Sequence, residues 1–400
     1  MAPSEAQEHT VDTEYIPRQL EGHLEQLAQW FPIVSVTGPR QSGKSTLCRA
    51  VFDSYEYVNL EDPTTRAAAS EDPLGFIHAH PAPLVIDEAQ RVGELFSVLQ
   101  VVSDASSRPG LYVLSGSQNF LMSKQVGQSL AGRVGLATLL PLSYAEASGA
   151  VGGLSADAFA LQGGYPRPIV TGMPAEVFFK SYVETYVQRD VGGELDVRNL
   201  SAFRTFLRLC AQRAGGILNV SRLARDAGVS HQTARSWLSI LQASSIVYLL
   251  SAWASNATKR LIKAPKLYFC DTGLLCHLLH VRSELELAGS AHLGAIVENL
   301  VVSELLKSHL NTGEDPELYY YRDDSKREID ILDVTRADDA LAIEVKSGET
   351  YRDKFSSQLS RVAGELGFDA GHCYVVYRGA ESIDTRTCMV RNLTEFLAGL

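Results

Sequence analysis

Apolar residues recur along this chain with two periods. Ile16, Leu20, Leu24 and Leu27 fall on one stripe with polar and charged residues between them, so residues 16–30 are predicted as an amphipathic helix. Short continuous apolar runs follow: Phe31 to Val36, Tyr57 to Leu60, Leu84 to Ile86 and Leu111 to Leu114, each closed by Gly, Ser, Asp or Glu-Asp-Pro. Such runs read as buried strands, and Thr46 to Phe52 between the first two reads as a helix. Later, Leu223, Ala224, Gly228, Val229, Ala234 and Leu238 fit two helices meeting at a steep angle, with Gly at the turn and Ser230 as an N-cap. Val247–Leu250 and Leu267–Cys270 read as the paired strands of a wing. Beyond them comes an amphipathic helix, Gly294 to Leu305, and strands over 318–322, 328–333, 340–346 and 373–377.

Composition narrows the class. At 400 residues with 45% hydrophobic content, the chain can bury a sizeable core and is long enough for two or three domains. The formal charge of −11 excludes a basic nucleic-acid coat and leaves room only for a local basic patch. Residues 259–266, Lys-Arg-Leu-Ile-Lys-Ala-Pro-Lys, are that patch. Six scattered cysteines without a C-x-x-C pair read as reduced core residues. Residues 1–14 are polar and read as a disordered tail, with no signal peptide expected. No apolar run approaches the ~20 residues that span a bilayer, so no membrane is expected and the cytoplasm is the expected compartment.

The segment Gly38-Pro39-Arg40-Gln41-Ser42-Gly43-Lys44-Ser45-Thr46 carries the phosphate-loop spacing between a strand and a helix. Glycines let backbone N–H groups curl around a phosphate, and the helix N-terminus adds partial positive charge. Lys44 is placed to reach β- and γ-phosphates, and Ser45 to hold Mg²⁺. About forty residues on, an apolar run ends in Asp87-Glu88. This is a Walker B arrangement: Asp87 for Mg²⁺ through water, Glu88 to polarise the attacking water. The strand over 111–114 ends in Ser115-Gly116-Ser117-Gln118, where Ser115, Ser117 or Gln118 could meet the γ-phosphate. Arg133, in a Gly-containing turn, has two readings: an arginine finger entering a neighbouring subunit's site, or a helix-end salt bridge.

These segments, together with Leu130 to Arg133 and Pro141-Leu142-Ser143, resemble a prokaryotic AAA-type (AAA+) ATPase family whose C-terminal domain has long been of unknown function. The resemblance covers nearly the whole chain. It implies an α/β fold: a P-loop AAA+ αβα core over 15–144, a helical lid over 145–200, a winged helix-turn-helix over 201–285, and a restriction-endonuclease-like α/β domain over 286–400. It also places Arg167, within Gly163-Gly164-Tyr165-Pro166-Arg167, as a nucleotide-sensing arginine.

The second helix of the helix-turn-helix offers His231, Gln232, Thr233, Arg235 and Ser236 to phosphates or base edges. Lys259, Arg260 and Lys263 add charge, and packing against protein is the competing use of such a unit. In the C-terminal part, alternation puts Glu344 and Lys346 on one face, and a hairpin over 333–340 brings Asp330 beside Glu344. Asp followed one strand later by Glu-x-Lys resembles the PD-(D/E)XK nuclease core, and Glu298 on the preceding helix matches an additional acid of Holliday-junction resolvase-like members. Carboxylates hold a hard cation, and the lysine positions or deprotonates water.

The expected function is therefore ATP hydrolysis with ATP and Mg²⁺, driving a motor or switch on DNA, branched DNA or junctions included. The expected assembly is a homo-oligomer, a hexameric ring being one form, and whether the nuclease-like site cleaves stays open. The alternative is a regulatory ATPase with protein partners and an inactive nuclease-like scaffold.

Overall fold

The computed structural model describes residues 15–106, 108–117, 130–187, 191–192, 199–254 and 263–400. The expected tail over 1–14, Gln118, Lys259 and Arg260 lie outside the described residues.

The first unit runs α1 (Glu21–Trp30), β1 (Ile33–Thr37), α2 (Lys44–Val51), β2 (Glu56–Asn59), α3 (Pro63–Glu71), α4 (Pro73–Ala79), β3 (Leu84–Asp87), α5 (Glu94–Ser106), β4 (Tyr112–Gly116) and β5 (Val134–Thr138). The five strands form one parallel sheet in the order β2-β3-β4-β1-β5. Fully buried runs such as Ile33–Thr37 and Leu84–Asp87 sit in it because both faces are covered. Helices α3, α4 and α5 pack Phe76, Leu95, Phe96 and Leu99 on one face, and α1 and α2 pack Leu24, Leu27 and Leu47 on the other. The first helix starts at Glu21, five residues later than its apolar period predicts. Pro17 and Arg18 precede it, and Glu21 Oε1 accepts the Arg18 N–H at 2.7 Å, which fixes the start.

Helices α6 (Tyr144–Ala150), α7 (Ala156–Gln162), α8 (Pro166–Thr171) and α9 (Ala175–Thr185) follow, then α10 (Leu200–Ala211), α11 (Val220–Asp226) and α12 (His231–Ala243). Asn219 and Ser230 cap α11 and α12 by accepting the N–H groups of Arg222 and Thr233. Gly228, at φ 68°, makes the left-handed turn between them. Trp237, Leu238 and Leu241 turn inward against Phe203 and Phe206, leaving His231, Gln232 and Arg235 exposed.

The remaining elements are β6 (Val247–Ala252), β7 (Lys266–Phe269), α13 (Thr272–Leu278), α14 (Glu284–Gly289), α15 (Leu293–Thr312), β8 (Leu318–Arg322), β9 (Glu328–Asp333), β10 (Leu341–Lys346), α16 (Asp353–Glu365), β11 (Cys373–Tyr377), β12 (Ile383–Asp384), β13 (Met389–Asn392) and α17 (Leu393–Ala398). Strands β6 and β7 pair antiparallel, as a wing would. They are not a free wing, because β6 also runs parallel to β8, with Ser251 opposite Tyr319. One eight-stranded mixed sheet results, in the order β12-β13-β11-β10-β9-β8-β6-β7.

Helix α15 is buried around most of its circumference, including Asn299, Glu304 and Lys307, instead of presenting one apolar stripe. It lies in a single core that runs from Leu140 through the middle helices to Leu397. All six cysteines are buried and free. Among the described residues, no helix is long and apolar enough to cross a membrane.

Candidate functional site

Parallel strand register gathers the chemistry at one sheet edge. Thr37 ends β1 opposite Gly116, and Asp87 ends β3 opposite Ser115, so the phosphate loop, the acidic pair and the Ser-Gly-Ser turn leave the sheet side by side. Between β1 and α2 the loop bends through Gly38 (φ 147°), Gln41 (φ 62°) and Gly43 (φ 97°). A side chain at position 38 would collide with the Leu139 carbonyl, 2.1 Å from an added Cβ, so only glycine fits there.

Lys44, 6% exposed, donates to two carbonyls of its own loop, Gly38 O at 3.0 Å and Pro39 O at 2.7 Å. Burial lowers its pKa to about 8, against the opposing pull of Glu88 and Asp87. A buried ammonium whose hydrogen bonds go to carbonyl oxygens is matched to an incoming anion. Asp87 accepts from Ser115 Oγ at Oδ1 and from the Tyr57 hydroxyl at 2.5 Å. Glu88, with backbone φ of 55°, accepts from Gln90 Nε2 at 2.5 Å and Ser117 Oγ at 3.3 Å. Of the three strand-end residues left open by the sequence, Ser115 thus serves Asp87 and Ser117 serves Glu88.

A cavity of about 810 Å³ opens over this edge. Arg40, Gln41, Gly43, Lys44, Ser45, Thr46, Glu88 and Ser117 line its floor, and Arg167 lines it from α8. Gly38, Pro39, Ser42 and Asp87 stand behind that surface. A nucleotide with Mg²⁺ fits this donor set: amides and Lys44 for phosphate oxygens, the Ser45 hydroxyl and the Asp87 carboxylate for the cation.

Arg133 is elsewhere. Its carbonyl accepts from Ile33 N at the opposite end of β1, and its guanidinium holds Asp104 with both Nε and Nη2. Five residues of strand, roughly 16 Å, separate it from its own chain's phosphate loop.

The second cluster lies on the C-terminal sheet. The hairpin between β9 and β10 has Ile343 opposite Ile331, and the Val345 N–H donates to Asp330 Oδ2 at 2.9 Å. Lys346 Nζ sits 2.5 Å from Glu344 Oε1, while Glu344 Oε2 is buried without a hydrogen-bond partner among the described residues. Burial, then the charge of Asp330, pushes Glu298 up to about 7 and Glu344 up to about 8, while nearby lysines pull the other way. Glu298, Asp330 and Glu344 therefore share one field. They are not drawn into one ligand shell: among the described residues no three His, Cys, Asp or Glu side chains group closely enough to hold a metal ion.

Lys266 stands against Glu298 instead, at 2.9 Å, and reaches Glu328 at 2.7 Å. It is 3% exposed, which removes it from the surface patch that residues 259–266 suggest. Lys263 stays at the surface, 3.2 Å from the Arg322 carbonyl.

Sequence reasoning missed Arg18, Tyr57, Lys266, Tyr268 and Glu328. The alternation of Lys266 and Tyr268 on one face of a short strand was a usable signal. Nothing local marks Arg18, whose buried guanidinium bonds Glu146, Ser42 O and Leu140 O.

Three families match successive parts of the chain. Residues 31–148 match a family described as an AAA domain, 155–285 a domain of unknown function (DUF8612), and 293–396 another (DUF4143). Uncharacterized proteins of Mycobacterium tuberculosis (strain H37Rv) and Mycobacterium bovis are each 34% identical over 309 residues, covering 75% of this chain and 67% of theirs. This chain belongs to their family. It carries a P-loop ATPase domain of the AAA type, with a parallel-sheet core. Among solved structures, a Walker-type ATPase of Pyrococcus abyssi is 15% identical with a TM-score of 0.44, over 65% of this chain and 95% of that one. A point variant of RuvB from Thermotoga maritima is 16% identical with a TM-score of 0.30, over 57% and 87%.

Proposed function

We propose that this ATPase hydrolyses ATP to act on DNA as a motor or switch, with the C-terminal unit as its DNA-processing end. The observation that carries the first half is the single cavity in which Lys44, Ser45, Glu88, Ser117 and Arg167 face one another. In this reading Lys44 turns from the Gly38 and Pro39 carbonyls onto the phosphates, and Ser45 with Asp87 holds Mg²⁺. A divalent cation there would supply charge neutralisation to the phosphates, and these two residues would hold it. Glu88, fixed by Gln90 and Ser117, orients the attacking water, and Ser115 and Tyr57 hold the Asp87 carboxylate in one rotamer. Arg133 lies too far from its own loop to serve it, so its catalytic role belongs to a neighbouring subunit of a homo-oligomer.

The exposed row of His231, Gln232 and Arg235 on α12, with Thr233 at its cap, and the exposed Lys263 support DNA as the partner. Residues 15–144 then form the engine, 145–200 the lid, 201–285 the DNA-reading unit and 286–400 the processing unit, with β6 crossing the last boundary. The orphaned Glu344 oxygen beside Asp330 supports a divalent cation in that unit.

The test is ATPase rate and DNA retention measured together, with linear, single-stranded and four-way-junction DNA at low salt, in Mg²⁺ or Mn²⁺. Stimulation by DNA that Lys44→Ala abolishes is the expected result. A protein that binds no DNA and hydrolyses ATP at one rate with or without it overturns the DNA half. Cleavage lost in Asp330→Ala identifies the C-terminal unit as a nuclease.

A further inference from the structure

We propose that Lys266 is a positioning residue that sits in the acidic cluster as an internal cation and holds Glu298 away from Asp330 and Glu344, so that a divalent cation enters only when this lysine withdraws. This rests on the reading that the cluster takes a divalent cation.

Four carboxylates, those of Glu298, Glu328, Asp330 and Glu344, meet two ammonium groups, Lys266 and Lys346. The lysines divide them. Lys346 holds Glu344 Oε1, and Lys266 bridges Glu298 Oε1 and Glu328 Oε1 at 2.9 and 2.7 Å. The Tyr268 hydroxyl donates to the same Glu298 oxygen at 2.5 Å, so Glu298 is held from the β7 side by two groups. Glu344 Oε2, on a residue 8% exposed, is buried with no hydrogen-bond partner among the described residues. A buried carboxylate oxygen with no partner is costly and marks an absent ligand, here one of positive charge. Oxygen donors from Asp330, Glu344 and a released Glu298 suit a hard divalent ion. An ammonium beside Glu298 repels such an ion and occupies the oxygen it would use.

Lys266 also comes from a different part of the chain than the acids. Strand β7 is held on its outer side by the loop that leads into the helix-turn-helix: Gly215 N donates to Leu267 O at 2.8 Å, Leu267 N to Gly216 O at 3.2 Å, and Leu218 N to Pro265 O at 2.8 Å. Gly215 approaches closely enough that an added Cβ would stand 3.7 Å from Glu298 Oε2. Displacement of residues 215–218 thus moves the strand that carries Lys266, which gives the DNA-reading unit a lever on the acidic cluster.

The test is Mn²⁺ binding to the full, nucleotide-free chain, read from the electron paramagnetic resonance signal of free Mn²⁺. The fraction lost in Asp330→Asn is assigned to this cluster. Lys266→Met is expected to bind Mn²⁺ roughly tenfold more tightly or better, the range by which groups supporting a ligand shift metal affinity. Tyr268→Phe, which keeps the aromatic packing and loses only the hydroxyl, is expected to gain severalfold, and it carries the test alone if Lys266→Met fails to fold. Variants that bind no tighter than the parent, while Asp330→Asn still removes the binding, overturn the lock and leave the cation reading standing. Binding that Asp330→Asn leaves untouched in every variant removes the cation reading itself, and the lock with it.

Discussion

The Arg18 guanidinium and the Glu146 carboxylate meet at 3.0 Å with 4% and 2% of their side chains exposed. Around this pair three distant segments are fastened. Arg18 also donates to Ser42 O in the phosphate loop and to Leu140 O after β5. Glu146 accepts from the backbone N–H groups of Gln19 and Ser143, the latter closing a capping box at the start of α6. Helix α6 therefore meets the phosphate loop through one buried cation.

Removing that cation leaves a buried carboxylate without its counter-charge and takes one donor from each of two carbonyls. Arg18→Ala is expected to cost about 3–5 kcal/mol, the range for breaking a buried ion pair from one side. Arg18→Lys is expected to recover little, because three acceptors in three directions need the planar fork. Urea midpoints of the parent and both variants measure this. An Arg18→Ala midpoint within experimental error of the parent sinks the assignment.

Lys44 supplies a proton signal for nucleotide binding. Its folded pKa, lowered to about 8 by burial, lies below the ordinary 10.5, so between those values the unfolded chain holds a proton that the nucleotide-free fold does not. Stability of the nucleotide-free protein therefore rises with pH across that window. A triphosphate beside the ammonium restores the charge. Binding at pH 8 is expected to take up roughly half a proton and at pH 6.5 none from this group. Calorimetry in buffers of different ionisation enthalpy reads the uptake, and Lys44→Met should abolish it. Heats at pH 8 that do not vary with the ionisation enthalpy of the buffer refute the assignment.

Much of the nucleotide edge was legible because its chemistry is local. Gly38, Gly43, Lys44 and Ser45 lie within one short loop, and Asp87-Glu88 closes an apolar run, so period and motif agree. The hairpin that sets Asp330 beside Glu344 was legible for the same reason, since strand alternation fixes faces. What stayed hidden depends on long-range packing. Lys266 reads as one more surface cation in a basic stretch until β7 is placed against α15, where Glu298 and Glu328 neutralise it. Likewise the pattern of Val247–Leu250 predicts an antiparallel partner, which β7 supplies, and says nothing of β8, whose pairing with Ser251 and Ala252 joins β6 and β7 to the C-terminal sheet. Helix α15 misled by its polar positions: Glu304 and Lys307 are buried partners at 2.6 Å, bonded to Tyr144 N and Leu142 O, and not a solvent face.

The far end of α15 carries a pH dependence. His309 lies between Asp333, 2.7 Å from Nε2, and Glu314, 2.8 Å from Nδ1. Burial alone would lower its pKa, but the hydrogen bonds and charges of these two acids outweigh burial and raise it above 6.5. A histidine raised in the fold stabilises fully below its unfolded pKa of about 6.5, and that contribution is lost as pH climbs through the folded value. Thermal melts of His309→Gln should therefore fall furthest below the parent at pH 6 and approach it as pH rises. A difference that stays constant from pH 6 to 9 shows a packing effect only.

Arg133 offers the sharpest test of assembly. It stands at the opposite end of the sheet from its own Lys44, and in the isolated chain its guanidinium is engaged by Asp104. If a neighbour's nucleotide receives it, Arg133→Ala should hydrolyse ATP at least about 100-fold more slowly while binding it normally, as loss of a fixed cation at a transferring phosphoryl group does. Asp104→Ala should leave the rate intact, because it frees the arginine. Mixing Arg133→Ala with Lys44→Ala, each inactive alone, should recover activity: an interface between the two then pairs an intact loop from one subunit with an intact arginine from the other. An Arg133→Ala protein with the parent rate reduces this residue to a surface ion pair with Asp104, and the engine then works without a neighbour's arginine.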